Sequence, residues 1–406
     1  MKHLFQIEEE DNHEILISEI GFVKKTKREI LVFKKFYQDV STEKEKIDNL
    51  ENDHEWDRLK KIGNPYELIY TSHHKKRKRE SISNYQPISR SYFKMWEIYC
   101  HFSSKIFQHI SIHHPIVFAH LAEGPGGFME ASYNYRKYML RNQIPQDTYC
   151  GITLPPNNDT IPDWNKLKKI FGESSKQIKI HYGNLYILND VLSYIKHFKK
   201  RKPLVVTADG GFDYSSDFNG QEINSCQIIY SECVIALHIL ETNGTFVCKV
   251  FDLFTSPMIK ILYLLYKNFR EVYIYKPETS RPANSEKYLV CIGFKNILTE
   301  DEKQHLLYLI YSYQDYVHKR LLLEDETLDL RGIRVPNYFC RQLIEFNHEY
   351  VEQQKFYLNR TLSLGNRIIP KDEYDELLRN QVRIALEWCQ RYHIPINQSS
   401  GYLRLL

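Results

Sequence analysis

Seven short apolar runs alternate with helix-length amphipathic segments between residues 88 and 298 of this 406-residue chain. Nearly continuous apolar runs are typical of parallel strands that are buried on both faces of a sheet. A strand–helix–strand series of this kind predicts a doubly wound, Rossmann-like α/β domain. The expected strands are 116–122, 149–154, 177–181, 204–208, 244–251, 271–276 and 288–294.

The segment before this series is mixed in character. Strands are expected at 15–20 and 29–36, where β-branched and aromatic residues cluster. A basic run at 73–80 is compatible with a solvated loop, a contact to an RNA backbone or a nuclear import signal. We therefore expect an N-terminal mixed α/β extension over residues 1–87, followed by the α/β domain over 88–298.

The segment after the series is predicted to be helical. Thr299 and Glu302 have the spacing of a capping box, which predicts that a helix begins there. Pro336 and Pro370 precede two further expected helices. Residues 299–406 are therefore predicted to form a helical C-terminal extension.

Composition sets few limits on the partners of the chain. The formal net charge is +4, which permits a polyanionic partner without requiring one. The sequence lacks the roughly 18 uninterrupted apolar residues of a membrane helix, and its acidic beginning is not typical of a signal peptide. The eight cysteines have no CxxC spacing, so we expect no metal site and a reducing compartment.

A glycine-rich turn follows the first predicted strand, in the segment His120-Leu-Ala-Glu-Gly-Pro-Gly-Gly-Phe128. Glycines allow the backbone to turn tightly and a ligand to approach the main chain. The spacing is not GxGxxG and no P-loop lysine follows, which argues against a pyrophosphate cradle. The carboxylate of Glu123 suits an adenosyl ligand with an amino-acid tail, and a purely structural turn is the alternative.

Four charged residues lie where burial of a charge costs free energy or where a ligand can reach the side chain. Lys249 lies within an apolar strand, where burial of an ammonium costs several kcal/mol and lowers its pKa, making it a candidate base. Asp209 directly follows the strand 204–208, Glu286 precedes the strand 288–294, and Lys94 lies on a helix before the first strand. Each residue also has a structural alternative. Lys249 could extend its ammonium to solvent, Asp209 could be a turn residue, Glu286 could belong to a polar loop, and Lys94 could be a surface lysine.

Taken in order, these motifs resemble the FtsJ/RrmJ-type RNA ribose 2′-O-methyltransferases with their Lys-Asp-Lys-Glu tetrad. The amino-acid sequences of these motifs are most similar to the cap-specific branch found in eukaryotes and large DNA viruses. The similar segments are Ala-Glu-Gly-Pro-Gly-Gly-Phe, Ala-Asp-Gly-Gly-Phe, Phe-Val-Cys-Lys-Val-Phe-Asp-Leu-Phe-Thr and Lys-Pro-Glu-Thr-Ser-Arg-Pro-Ala-Asn-Ser-Glu-Lys-Tyr. The resemblance covers about residues 88–298 and neither extension.

The resemblance implies an S-adenosylmethionine-dependent enzyme and assigns roles to individual residues. The implied catalytic residues are Lys94, Asp209, Lys249 and Glu286. The implied cofactor-binding residues are Glu123, Gly124, Pro125, Gly126, Gly127, Phe128, Thr153, Leu154, Asn184 and Asp209. The implied RNA or cap contacts are Glu222, Lys276, Ser280, Arg281 and Asn284. Asn184 departs from the branch, which has an acidic residue there.

The implied reaction methylates the ribose 2′-hydroxyl of the first transcribed nucleotide of capped mRNA, with Lys249 as base and Lys94 lowering its pKa. The alternatives are a ribosomal or transfer-RNA methyltransferase, a non-catalytic RNA-binding subunit and an enzyme acting on a small molecule.

The expected partners are the capped mRNA 5′ end and other capping or transcription proteins, with no membrane. The expected location is the cytoplasm, or a viral factory or virion if the source is viral, with the nucleus as the alternative.

Overall fold

The computed structural model describes residues 4–8, 14–50, 53–71, 81–156, 164–211, 217–365 and 367–406. The basic run at 73–80 lies outside these residues, so its expected roles stay predictions. None of the described helices is long and apolar enough to cross a bilayer.

The N-terminal extension differs from its predicted strands. Its elements are β1 (Leu4–Ile7), β2 (Gly21–Thr26), α1 (Lys34–Glu45) and α2 (Asp53–Ile62). The strand predicted at 15–20 is wrong, since Ile17–Glu19 forms a 3₁₀ turn, and so is the one at 29–36, where α1 begins. The apolar residues of these segments, among them Ile17 and Ile30, are buried singly rather than in a ladder. Strand preference depends on such tertiary context.

The α/β series confirms all seven predicted strands, with ends shifted by one or two residues. Its elements are α3 (Ser91–Ile106), β3 (Val117–Leu121), α4 (Gly127–Met139), β4 (Thr148–Thr153), α5 (Asn165–Phe171), β5 (Ile178–Tyr182), α6 (Leu188–Ile195), β6 (Val205–Ala208), α7 (Gln221–Ile239), β7 (Thr245–Val250), α8 (Ser256–Asn268), β8 (Phe269–Tyr275) and β9 (Lys287–Phe294).

These strands and β1 form one eight-stranded sheet in the order β1-β8-β9-β7-β6-β3-β4-β5. The five strands from β7 to β5 are parallel, whereas β9, β8 and β1 are added antiparallel to their neighbours. This is the predicted Rossmann-like doubly wound architecture. Because β9 runs against β7, the beginning of β9 lies beside the end of β7, with Tyr288 opposite Lys249.

The C-terminal extension contains α9 (Glu300–His318), β10 (Glu326–Arg331), α10 (Asn337–Leu362) and α11 (Lys371–Arg391). Thr299 and Glu302 form the predicted capping box at the start of α9. The expectation of a wholly helical region is wrong at β10, which pairs antiparallel with β2. The extensions are thus joined to each other, and the predicted division into three regions stays a prediction.

Helices cover both faces of the sheet. One apolar cluster combines residues of α6, α7 and α8 with residues of α9 and α10. The other combines residues of α3, α4 and α5 with residues of α11. Burial on both faces explains why the parallel strands read as continuous apolar runs. It also leaves the strand ends as the places where polar side chains can face a ligand.

Candidate active site

Three of the four predicted catalytic residues stand at one edge of the sheet because of its topology. Asp209 directly follows β6, and Lys249 is the penultimate residue of the neighbouring strand β7. Glu286 directly precedes β9, whose antiparallel direction brings its beginning to the same edge. Lys94, one turn into α3, completes the group from the helical layer.

The four side chains form two ion pairs that share one site. The Lys249 Nζ lies 3.3 Å from Asp209 Oδ1 and donates a hydrogen bond of 2.9 Å to the Asp209 carbonyl oxygen. The Lys94 Nζ lies 2.7 Å from Glu286 Oε1 and 2.8 Å from Oε2. The structure therefore brings the predicted tetrad together, while its catalytic role stays a prediction.

The charges of the tetrad influence one another. Burial would raise the pKa of Glu286, but the ammonium groups of Lys94 and Lys249 outweigh burial and lower this pKa to about 2. Glu286 is therefore a carboxylate at neutral pH, and it holds Lys94 in place. Since Glu286 couples to both lysines, the two ion pairs act as one network.

The expected lowering of the Lys249 pKa is wrong in this structure. Burial does lower the pKa of its ammonium, but Asp209, Glu286 and Glu232 outweigh burial and raise it above the ordinary value. Lys94 was expected to lower the Lys249 pKa by repulsion, yet Lys94 is paired with Glu286. Lys249 is therefore an ammonium in the structure described here.

Two residues of the site were missed by sequence analysis. The Tyr288 hydroxyl donates to Asp209 Oδ1 over 3.1 Å. Glu232 on α7 is fully buried and accepts a 3.0 Å hydrogen bond from the backbone N–H of Gly210. Burial raises the pKa of Glu232 to about 8, although Lys249 opposes the shift. The available signal for Glu232 was a carboxylate directly before the apolar run 233–237 of α7.

The two glycines after Asp209 leave room for these close contacts. A Cβ atom at Gly210 would lie 2.3 Å from Glu232 Oε1, and one at Gly211 would lie 2.8 Å from Lys249 Nζ. Both distances are too short for real carbon contacts. Glycine thus lets Glu232 and Lys249 approach the turn from two sides.

The glycine-rich turn after β3 contains a buried polar cluster. Glu123 Oε1 lies 2.6 Å from His120 Nδ1 and accepts a 2.6 Å hydrogen bond from the Thr207 hydroxyl. Glu123 Oε2 is buried without a hydrogen-bond partner among the described residues. Burial raises the pKa of Glu123 against the influence of His120. Gly126 caps α4 with a φ of 106°, which favours glycine.

The other predicted cofactor contacts are distributed around this turn. Thr153 ends β4, Leu154 follows it, and Asn184 stands two residues after β5, so all three lie at the same edge of the sheet. The Asn184 N–H donates to the Asp190 carboxylate, a neighbour that sequence analysis missed. Phe128 is fully buried and its ring packs on Tyr288, so its side chain supports the turn from behind.

The loop after β8 holds four of the five predicted RNA contacts, and one of them, Lys276, is differently used. Lys276 is buried and donates to the carbonyl oxygens of Asn284 and Glu286 over 2.5 and 2.8 Å. Burial, together with the charge of Lys287, lowers its pKa to about 7. Lys276 therefore braces the loop, contrary to the expected contact with RNA. Ser280 is also buried, and its hydroxyl has no partner among the described residues.

Glu222 is the second predicted cap contact that the structure contradicts. Its carboxylate is buried and accepts hydrogen bonds from the backbone N–H groups of Phe254 and Thr255 and from the Thr255 hydroxyl. Burial, reinforced by the charge of Asp252, raises its pKa to about 8. Both oxygens are thus used to fix the loop between β7 and α8.

Arg281 and Asn284 line a cleft between the α/β domain and both extensions. The guanidinium of Arg281 faces the Glu67 carboxylate, with Nη2 3.3 Å from Oε1. Half-buried aromatic side chains line the same cleft, together with half-buried cations and the buried Lys44. They are Trp56, Phe218 and Tyr357 among the aromatic residues and Lys44, Lys60 and Arg281 among the cations.

The model of the FtsJ-like methyltransferase family matches residues 87–294, about half of the chain. The chain belongs to this family.

Curated relatives of this FtsJ-like methyltransferase are named cap-specific mRNA (nucleoside-2′-O-)-methyltransferase 1. The Drosophila melanogaster protein is 39% identical over 184 residues, which cover 43% of the chain and 22% of the relative. The Mus musculus protein is 36% identical over 203 residues, covering 47% and 23%. The Xenopus laevis protein is 32% identical over 253 residues, covering 59% and 28%. The chain thus spans about a quarter of these relatives.

Solved structures are more distant. A putative ribosomal RNA methyltransferase from Plasmodium falciparum is 16% identical with a TM-score of 0.36, covering 51% of the chain and 97% of that protein. A carbon methyltransferase, DszA, is 12% identical with a TM-score of 0.33, covering 51% and 54%.

The cofactor of this methyltransferase is S-adenosylmethionine, and the residues at the strand ends fit it. The orphaned oxygen of Glu123 offers an acceptor to an amino-acid ammonium group. Leu154, Tyr182 and Ile187 are exposed apolar residues around the ends of β4 and β5, where they can pack on an adenine ring. Asp209 directly follows β6, which lies between β7 and β3 in the sheet. Within the described ranges no three potential ligands are grouped to hold a metal ion.

Proposed function

We propose that this methyltransferase transfers a methyl group from S-adenosylmethionine to the 2′-hydroxyl of the first transcribed nucleotide of capped mRNA. The observation that carries the proposal is the pairing of Lys249 with Asp209 and of Lys94 with Glu286 at one edge of the sheet. This edge lies between the Glu123 turn and the loop that borders the cleft. The names of the curated relatives support the cap as the substrate class.

The chemistry requires a ribose oxygen to become a better nucleophile. S-adenosylmethionine supplies an electrophilic methyl group on a sulfonium sulfur. Because Lys249 is an ammonium in the structure, it must first lose its proton. Its neutral amine then accepts the proton of the hydroxyl as the new C–O bond forms and the S–C bond breaks. Lys94, kept charged beside Glu286, stabilises negative charge on the attacking oxygen. Asp209 and Tyr288 keep the Lys249 amine directed to one place, which supplies orientation.

The cleft suits a capped RNA end. An N7-methylated guanine carries delocalised positive charge and is attracted to the faces of aromatic rings such as Trp56 and Tyr357. Arg281 and Lys60 provide cations for the phosphate bridge, and a guanidinium binds phosphate oxygens in a bidentate way. These side chains come from the N-terminal extension, the α/β domain and α10, so both extensions contribute to the proposed substrate site.

The proposal is tested by transfer of a labelled methyl group to a set of short RNAs. The set carries an N7-methylated cap, an unmethylated cap, a 5′-triphosphate, or a cap whose first ribose is already methylated. Transfer to the capped RNAs that lack the ribose methyl group is expected. Activity on the pre-methylated RNA would move the target to the second nucleotide or an internal one. Equal activity on the triphosphate RNA would exclude cap specificity.

A cleft variant tests the substrate assignment separately. Trp56→Ala is expected to raise the KM for N7-methylated capped RNA by roughly tenfold, because a cation–π contact in a desolvated site contributes about 1–2 kcal/mol. Its kcat should stay close to that of the unchanged protein. Phe356→Ala, an exposed aromatic residue on α10 that does not line the cleft, is the matched control. If the unchanged protein, Trp56→Ala and Phe356→Ala all have the same KM, the assignment of the cap to this cleft is contradicted.

A further inference from the structure

One part of the chain is far more basic than the whole. Residues 164–202 contain ten Lys and Arg residues but only two acidic residues, Glu173 and Asp190. Their formal net charge is therefore +8, whereas the whole chain carries +4. The rest of the chain taken together is consequently net negative. Such an asymmetry directs a polyanion to one side of a molecule.

The fold places this charge along the β5 edge of the sheet. β5 is the last strand of the sheet, and α5 and α6 flank it from the two opposite layers. On α5, Leu167 and Phe171 are buried while Lys166, Lys168 and Lys169 are exposed. The helix thus directs its apolar side to the core and its lysines to solvent.

The opposite layer continues the same surface. Lys196, Lys199 and Lys200 are exposed in the turns that follow α6, close to the exposed ring of His197. His197 lies 3.8 Å, ring centre to ring centre, from His181 on β5. We define the exposed lysines of α5 and of this turn, together with Lys176 and Lys179 between them, as the edge surface.

The cations of the edge surface are not balanced by carboxylates within the part of the chain that the structure describes. Among the described residues, none of its lysines forms an ion pair, and the Asp190 carboxylate accepts from the Asn184 N–H instead. Some exposed lysines elsewhere are paired, as Lys46 is with Glu43 and Lys319 with Asp315. An ordinary solvated surface mixes both signs, whereas unpaired cations of one sign are typical of a polyanion-binding surface.

We infer that the edge surface binds the RNA chain beyond the nucleotide that is methylated. β5 is four strands from β7, so the two strands are about 19 Å apart across the sheet at a strand spacing of about 4.8 Å. The RNA end would lie in the cleft and at the tetrad, while its following phosphates reach these lysines. Cations interleaved with rings such as His197 suit single-stranded RNA without sequence preference. The inference rests on the proposed RNA substrate.

Two charge-neutralised variants test the inference in the full chain. One combines Lys166→Gln, Lys168→Gln and Lys169→Gln, and the other combines Lys196→Gln, Lys199→Gln and Lys200→Gln. The control combines Lys27→Gln, Lys34→Gln and Lys35→Gln, three exposed lysines of the N-terminal extension. Each protein is measured with a capped trinucleotide and with a capped RNA of about 30 nucleotides, longer than the roughly 4 to 16 nucleotides of a typical single-strand site.

For the long RNA, both edge variants are expected to raise the KM by about three- to tenfold and to reduce its salt dependence, since each lost phosphate contact removes about 0.7 from the slope for single strands. The KM for the trinucleotide and the kcat should not change, and the control should match the unchanged protein. Equal loss on both RNAs would overturn the inference, because the lysines would then act at the reacting end.

Direct binding separates this inference from the proposed function. The affinity of each protein for an uncapped single-stranded RNA of the same length is measured by fluorescence anisotropy. Weaker binding by both edge variants than by the control supports the surface even if no methyl transfer to capped RNA is found. Unchanged affinity in both edge variants overturns the inference. The edge surface would then be expected to bind an acidic protein instead. Failure of methyl transfer to every capped RNA contradicts only the proposed function.

Discussion

At the scale of single residues, Lys249 shows where a sequence can predict a site but not its protonation. Its position in an apolar strand predicts burial, which by itself lowers an ammonium pKa. The structure adds Asp209, Glu286 and Glu232, and their combined charge reverses the sign of the shift. A pKa is a small difference between large opposing effects, and the three carboxylates come from distant parts of the chain.

Glu232 is expected to control the pH at which Lys249 loses its proton. Because its own pKa is about 8, Glu232 is charged only above that pH and then stabilises the Lys249 ammonium. Glu232→Gln removes this charge, so Lys249 should lose its proton at lower pH and the rising limb of kcat/KM against pH should move to lower pH. The profile is measured on a minimal capped RNA with saturating S-adenosylmethionine.

A second buried carboxylate provides the control for this profile. Glu130 is buried on α4 and accepts hydrogen bonds from Tyr85 and from the Ile88 N–H, away from the tetrad. Glu130→Gln should leave the rising limb of kcat/KM at the same pH, even if the substitution changes the free energy of unfolding. A limb that stays in place or moves to higher pH in Glu232→Gln would contradict the assignment of Lys249 as base.

At the scale of elements, the loop 276–286 depends on one buried carboxylate. Glu97 on α3 accepts hydrogen bonds from the N–H groups of Glu278 and Thr279 over 2.7 and 2.8 Å. It lies one turn after Lys94, so the helix that provides a tetrad lysine also anchors the loop that carries Glu286. Burial raises the pKa of Glu97 to about 7, although the hydrogen bonds oppose the shift.

Glu97→Ala is expected to loosen this loop. Two buried N–H groups lose their acceptor, which lowers the free energy of unfolding by about 1–3 kcal/mol and raises the KM for capped RNA. Binding of S-adenosylmethionine, measured by calorimetry, should change little because its site lies around the Glu123 turn. Glu97→Gln keeps one acceptor oxygen and should give an intermediate KM. A matching loss of cofactor affinity would show that Glu97 supports the whole edge and not the loop.

The capping box of α9 gives a prediction that concerns stability alone. Thr299→Ala removes the hydroxyl that accepts the Glu302 N–H, and the free energy of unfolding should fall by about 1 kcal/mol. Thr299→Ser keeps the hydroxyl and should be nearly neutral. Thermal unfolding measures both, and the methyl-transfer rate at room temperature should be unchanged. A lower Tm for Thr299→Ser than for Thr299→Ala would contradict the role of the cap.

The elements also show which structure is readable from sequence. Most of the strands from β3 to β9 are buried on both faces and have nearly continuous apolar sequences, which made them predictable, whereas the edge strand β5 is only partly buried. β2 and β10 were missed because their sequences, Gly-Phe-Val-Lys-Lys-Thr and Glu-Thr-Leu-Asp-Leu-Arg, are mixed. These two strands pair with each other across about 300 residues, and such a long-range pairing leaves no local signal.

At the scale of the whole molecule, a buried ion cluster ties the extensions to the α/β domain. Asp252, after β7, lies 3.4 Å from the Lys44 Nζ of α1 and 3.2 Å from the Lys287 Nζ of β9. The Lys287 ammonium also faces the ring of Tyr350 on α10 at 5.7 Å. Burial would raise the pKa of Asp252, but Lys44 and Lys287 outweigh it and lower the pKa.

Asp252→Ala should leave two buried ammonium groups without their shared partner. The free energy of unfolding is expected to fall by about 3–5 kcal/mol, as for other broken buried ion pairs. In the unchanged protein this contribution is present above the ordinary pKa of an aspartate and is lost as the pH falls through the lowered pKa. Denaturant unfolding at neutral and acidic pH measures it. Asp325→Ala, at an exposed carboxylate, is the control, and an equal loss there would contradict the role of the cluster.

The whole molecule also sets a limit on what motifs can predict. The tetrad and the glycine turn are short motifs with fixed neighbours, so the sequence was sufficient to bring them together. The cleft combines Trp56, Gln221, Arg281 and Tyr357, which meet only in the folded chain. Glu222 and Lys276 were assigned to RNA from their motifs, whereas the structure uses both to fix loops.

The most direct test compares one reaction in two proteins. Methyl transfer is measured with a short N7-methylated capped RNA whose first ribose has either a 2′-hydroxyl or a 2′-hydrogen, using the unchanged protein and Lys249→Ala. Transfer to the hydroxyl RNA alone is expected, with complete loss in Lys249→Ala while S-adenosylmethionine and RNA still bind. Transfer to the deoxy RNA, or a normal rate in folded Lys249→Ala, would contradict methylation of the first ribose by this tetrad.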